Sequence, residues 1–179
     1  MGKEKQKNIT TSKSIVGLQK EQIAKMNEIN EEISELNNKL ATGTISLDEH
    51  ERKYKKEMLN FKINNKCYEL EQLKVLLEST ISHQKNLENE VAGHKLEITY
   101  YKSALENIKN SMSDYDEETY KKYEHLFKTL DKIKELEKEI GEKNNEIESI
   151  KEAMCKYEHG VNAVTKDIEN LNTELKKIK

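Results

Sequence analysis

Cys155 and His159 stand four residues apart, so on a helix a thiol and an imidazole share one face at metal-ligand spacing. They make half a site at most: the heptad count given below puts them at outer positions b and f, where a parallel partner chain cannot complete the coordination, and Cys67 is remote in sequence. No metal or cofactor is therefore expected. Tyr115, Tyr120 and Tyr123 lie among Asp114, Asp116, Glu117 and Glu118, a pattern open to phosphorylation or docking and equally to spacer packing. There is no glycine-rich phosphate loop, no zinc-finger spacing and no nucleophile-base-acid set that a rod would hold in a dry cleft. The sequence reads as non-enzymatic, without a small-molecule substrate.

Composition narrows the architecture that must carry these residues. Of 179 residues, 34% are apolar and 36% charged, and there is no Pro or Trp. An ordinary globular core is hard to build from that, and a disordered chain would favour Pro and unpatterned charge. Here 31 basic and 34 acidic residues nearly balance, as on long exposed helices. No run approaches the 18 or so apolar residues that would cross a bilayer, so membrane insertion is not expected. A basic-zipper DNA reader needs a dense Arg and Lys segment before its heptads; Arg52 is the sole Arg and Glu is plentiful, so no nucleic-acid partner is expected. Two distant cysteines with no secretory leader before them predict a reducing, intracellular setting, cytoplasmic or cytoskeleton-associated.

Residues 1–12 read as a basic flexible tail. Met26, Ile29, Ile33, Leu36 and Leu40 step by three and four, which predicts a first helix over 13–41. Thr42, Gly43 and Thr44 then break it, and Ser46 with Glu49 has the spacing of a capping box, so 42–46 is a turn and a second helix starts near Leu47. Leu36, Leu40, Gly43, Ile45, Ser46 and Glu49 together resemble the short helix-turn-helix of small bacterial oligomerisation motifs. A hairpin with the first helix packed back on residues 47–76, or a kink, satisfies this stretch equally.

The strongest signal is a seven-residue period over 47–179. With Ile63 as position a, the count runs through Leu70, Leu77, Gln84, Val91, Ile98, Leu105, Met112, Thr119, Leu126, Ile133, Ile140, Ile147, Met154, Val161, Ile168 and Leu175. From Leu126 to Leu175 all eight are apolar, a run expected by chance roughly 2 times in 10,000 at this apolar content. The d positions fit less well: Lys66, Thr80, His94, Lys122, Thr129 and Lys143 are polar. An unbroken period predicts an all-α, left-handed coiled-coil rod on the order of 200 Å long, with a soft spot or hinge at 113–122. A hairpin there would not need to keep the heptad phase, so its preservation favours a continuous rod.

Flanking charges address the partner. In a parallel, in-register dimer, g of one chain meets e five residues on in the other. Glu69 and Lys74, Glu90 and Lys95, Glu97 and Lys102, Lys132 and Glu137, Glu146 and Lys151, and Glu174 and Lys179 are all opposite in sign. This predicts a parallel homodimer, with Gln84 as a register-fixing buried amide and the a positions as the oligomerisation seam. A second coiled-coil protein is the alternative partner, its acids facing Lys66, Lys122 and Lys143.

Residues 97–106, Glu-Ile-Thr-Tyr-Tyr-Lys-Ser-Ala-Leu-Glu, resemble the helix-termination consensus of intermediate-filament rods. In that family the rod ends there, whereas these heptads continue to Ile178, so the resemblance does not imply filament identity. The functional expectation is a structural, self-associating, cytoskeleton-like scaffold or spacer. The alternative is a coiled-coil subunit or adaptor of a hetero-oligomeric centrosomal, ciliary, kinetochore or vesicle-tethering complex.

Overall fold

The computed structural model describes residues 15–110 and 117–178, with side chains from 121 onward in the second stretch. The expected basic tail, residues 111–116 of the expected hinge region, Met112, Tyr115 and the side chains of Thr119 and Tyr120 lie outside that description. Among the described residues there are three helices and no strand: α1 (Ile15–Ala41), α2 (Leu47–Asn110) and α3 (Glu117–Lys177). The class is all-α. None of these helices is long and apolar enough to cross a membrane.

The turn between α1 and α2 is closed by residue chemistry. Gly43 adopts φ +70°, a left-handed conformation that costs a side chain roughly 1–2 kcal/mol and glycine almost nothing. Around it the Thr44 N–H donates to the Lys39 carbonyl (2.9 Å) and the Gly43 N–H to the Leu40 carbonyl (3.0 Å), which satisfies carbonyls the end of α1 would otherwise leave free. At the start of α2 the Glu49 N–H donates to Ser46 Oγ at 3.2 Å. The Glu49 carboxylate accepts from Lys53 Nζ at 2.6 Å, one turn on in α2.

α2 ends at Asn110, α3 begins at Glu117, and the two run antiparallel against each other within one chain. The direction follows from the pairs that meet: His83 with Glu146, Glu90 with Lys143, His94 with Glu139 and Lys102 with Glu137, partner numbers falling as residue numbers rise. Within Ser79–Cys155, then, the helix that α2 packs against is α3 of the same chain. Heptad phase fixes which face of a helix is buried and says nothing of which helix covers it. A connection of arbitrary length keeps the heptad phase about one time in seven.

The chain packs as two units. One joins α1 to α2 up to Glu78 and to α3 from Lys156; the other is Ser79–Cys155. In the second unit, Ile98, Leu105, Leu126, Ile133 and Leu136 form one buried cluster, with Tyr101, Ile108, Leu130 and Ile140 packed on it. Leu87, Val91, Ile147 and Ile150 form another, flanked by Ile140 and Met154. Each fully buried Leu or Ile in such a cluster contributes roughly 1.5–3 kcal/mol by area. In the first unit Leu18, Ile29, Leu36, Leu59 and Val164 are buried. There α1 runs antiparallel to α2, with Gln22 Nε2 donating to Asn65 Oδ1 (3.1 Å) and His50 Nε2 lying 2.9 Å from Asn37 Oδ1.

Candidate interaction site: the paired face of α2 and α3

The a positions assigned from sequence mark the face on which α2 and α3 meet. Val91, Ile98, Leu105, Leu126, Ile133 and Ile147 are buried. Ile63, Leu70, Leu77, Gln84, Ile140, Met154, Val161, Ile168 and Leu175 are half-buried. Gln84 Nε2 donates to Glu88 Oε1 on its own helix at 2.7 Å.

The polar d positions have specific company. Lys143 donates to Glu90 across the hairpin. That hydrogen bond, followed by the charge itself, holds the Glu90 carboxyl below the usual range and raises the Lys143 ammonium. His94 places Nε2 3.3 Å from Glu139 on α3 and Nδ1 4.0 Å from Glu97 on α2. Thr129, buried to 5% exposure, donates its hydroxyl to the His125 carbonyl at 2.8 Å and so leaves no orphaned polar atom. In the first unit, Lys66 Nζ lies 2.9 Å from Glu69 and 3.3 Å from Asp167. Lys66 and Lys143 thus face acids, as their d positions suggest, with the acids supplied by the same chain.

Flanking charges follow the antiparallel rule rather than the parallel one. Lys102 to Glu137 (3.4 Å) joins e with e, and His83 to Glu146 (3.0 Å) joins g with g. Glu90 to Lys143, His94 to Glu139 and Lys66 to Asp167 each join d with g. Three lysines of the expected parallel pairs hold acids on their own helix: Lys132 holds Glu135, Lys151 holds Glu148 and Lys74 holds Glu71. Complementary signs along these sequences arise from alternating Glu and Lys and suit both directions. Such exposed pairs set alignment more than stability.

Chemistry is sparse on this face. An open groove of about 390 Å³ in the first unit is lined by Lys62, Asn65, Lys66, Glu69, Asp167, Asn170 and Leu171. The hydrogen bonds to Glu69 and then Asp167 push the Lys66 amine up, the reverse of what an amine nucleophile needs. Cys67 and Cys155 are free, Cys155 exposed. Among the described residues no group of three or more His, Cys, Asp or Glu is placed to hold a metal ion.

α1 packs back on α2, the hairpin alternative for 42–46, and the α2 residues it covers were not named from the sequence. Asn64, Cys67, Tyr68 and Glu71 line a pocket with Leu18, Glu21, Gln22 and Lys25 of α1. Their polarity hid them from an apolar period, and the available signal was the α1 stripe itself, which needed a surface to cover. No protein-family model, curated protein or solved structure matches the chain.

Proposed function

We propose that the protein is a non-enzymatic structural component that self-associates through its heptad-patterned helices and serves as a scaffold or spacer of cytoskeletal type inside the cell. The observation that carries this reading is the seam. One seven-residue apolar pattern runs through both long helices, and the residues on it are the ones that pack. Helix pairing is the interaction that a seven-residue apolar pattern serves. Sedimentation equilibrium and circular dichroism over a range of concentrations test it. Association that rises with concentration, with helicity retained, supports the reading; a fully helical monomer at every concentration overturns self-association.

A second reading, an adaptor or subunit in a hetero-oligomeric complex, is favoured by large apolar side chains that the hairpin leaves outside. Leu96 and Tyr100, one turn apart on α2, are 73% and 71% exposed, and Phe127 on α3 is 62% exposed. An amphipathic partner helix is the chemistry that fits such short apolar steps. The same sedimentation experiment separates the two, since this reading predicts a monomer that gains mass only with its partner.

A further inference from the structure

We propose that a second copy of the chain docks on the outer face of α2 in the second unit, α2 against α2 and antiparallel, with Leu96 at the two-fold axis. This rests on the self-association reading and names the surface and the direction of the contact.

The first observation is a lack of charge where charge is expected. Heptad positions c and f lie opposite the a and d seam, where a helix with one neighbour meets only water. On α3 they read that way: from Lys121 to Glu142 all seven c and f residues are charged and exposed. On α2 from Ser82 to Asn110 the nine c and f residues are exposed as well, and none is charged: four asparagines, two serines, Gly93, Leu96 and Tyr100. In a chain that is 36% charged, nine such positions in succession are expected roughly 2 times in 100.

The second is what covers the same positions in the first unit. There the c and f residues Met58, Phe61, Asn65, Tyr68 and Gln72 of α2 are uncharged too, and all five are half-buried. Asn65 accepts from Gln22 of α1, and Tyr68 lines the pocket shared with Leu18. An uncharged c and f stripe on this helix is therefore a surface that another helix covers. Among the described residues of Ser79–Cys155, α2 and α3 are the only helices, so the covering helix must come from outside the unit.

The third selects a second copy as the source of that helix. Leu96 stands midway between Ser82 and Asn110, and the stripe matches itself in reverse about that point. An antiparallel copy turned about Leu96 brings Asn89 beside Ser103 and Asn86 beside Asn107, side chains able to hydrogen-bond to each other. The Tyr100 ring, 71% exposed, comes over Gly93, where a Cβ would meet nothing within 4 Å. At one border of the stripe, exposed Lys85 of each copy meets exposed Glu106 of the other, both at position b. A parallel pair would instead set Lys85 on Lys85 and Glu106 on Glu106. At the opposite border Glu97 meets Glu97, each lying 4.0 Å from His94 Nδ1 of its own chain. Such a self-complementary contact is isologous and closes at two copies.

The test is sedimentation equilibrium of the full chain and its variants at low salt. Leu96→Lys/Tyr100→Lys should raise the dimer dissociation constant at least about a hundredfold, because it charges the centre of the contact. Both side chains are exposed, so the helicity and thermal midpoint of the dilute chain should stay unchanged. Lys85→Glu and Glu106→Lys, made singly, should each weaken the dimer about tenfold, since both border pairs become repulsive. Combined in one chain they should restore native affinity, which a purely structural effect of either substitution would not do. A dimer indifferent to Leu96→Lys/Tyr100→Lys overturns this inference and leaves self-association standing. Failure of Lys85→Glu and Glu106→Lys to rescue each other overturns it as well, because a parallel or unrelated pairing has no reason to couple them. A chain that is monomeric at every concentration overturns both the inference and the self-association reading.

Discussion

Along α2 the two units bury their side chains in different ways. Between Gln84 and Leu105 burial follows the seam: Leu87, Val91, Ile98 and Leu105 are buried, while Lys85, Asn86, Glu88, Asn89 and Glu90 are exposed. Between Ile63 and Tyr68 there is no such alternation, and six successive residues (Ile, Asn, Asn, Lys, Cys and Tyr) are all half-buried. A helix packed on one neighbour shows one dry stripe and a wet remainder. A helix that also meets α1, through Asn64, Asn65, Cys67 and Tyr68, has little free surface left, and polar residues are carried into the covered zone. The number of neighbours, more than the residue pattern, sets how sharply burial is divided.

The largest expected effect breaks that contrast at its dry end. Leu136 is 2% exposed at the centre of the Ile98, Leu105, Leu126 and Ile133 cluster, so Leu136→Ala should cost about 2–5 kcal/mol, transfer and cavity together. Ile63→Ala, at a half-buried a position of the first unit, should cost roughly half as much, because water already reaches the side chain. Urea denaturation of the two variants, followed by circular dichroism, compares them. Equal losses would mean that the mixed zone around Ile63 is as well packed as the Leu136 cluster.

What the sequence made legible follows the same division. The helical class and the buried face were readable, because both depend on periodicity within one helix: every a position from Val91 to Leu105 and again from Leu126 to Ile133 is buried. The direction of pairing was not readable. Glu90, Lys102, Glu137 and Glu146 have partners of suitable sign in either direction, and the signs of alternating charges do not encode strand order. Nor was the hydrogen bond of Gln84 to Glu88 one turn away, since an amide at a seam position has partners on its own helix as well as across it. The covered polar face of α2 lay beyond pattern reading altogether: Asn65 is held by a hydrogen bond from Gln22, which depends on where α1 lies.

Glycines sharpen the contrast at intermediate size. Gly93 and Gly141 sit inside α2 and α3 in the second unit, and a Cβ added to either meets nothing within 4 Å. Gly93→Ala and Gly141→Ala should therefore each stabilise by about 0.5–1 kcal/mol, the intrinsic helix preference of alanine over glycine. Gly160, in the first unit, differs: its Cβ would lie 3.2 Å from Leu73 Cδ1 and 3.5 Å from Cδ2. The leucine must give way by a few tenths of an ångström, so Gly160→Ala should gain clearly less than the other two, or lose stability. Thermal melts of the three single variants decide this, and a full gain at Gly160 would show that α2 and α3 approach less tightly there.

The smallest expected effect concerns the α1–α2 contact, which the second unit lacks. Glu57 raises the Glu32 carboxyl above its ordinary range, first through a hydrogen bond between the two carboxyl groups and then through like-charge repulsion. A carboxyl whose folded value is raised favours the folded state while it is protonated, and that contribution is lost as pH rises through the folded value. At neutral pH the pair thus works against the packing of α1 on α2. Glu57→Gln removes the repulsion and keeps an oxygen to accept from Asn60 Nδ2, now 3.1 Å from Glu57 Oε2. Because Glu32 stands in solvent and Glu57 is only half-buried, the variant should gain only a few tenths of a kcal/mol near pH 7. The gain should shrink towards zero as the pH falls to about 4, where carboxylates take up protons in both chains. Paired melts of the two chains at a series of pH values measure the difference. A gain that stayed constant with pH would assign the effect to packing of the amide, and the charge argument for this contact would fail.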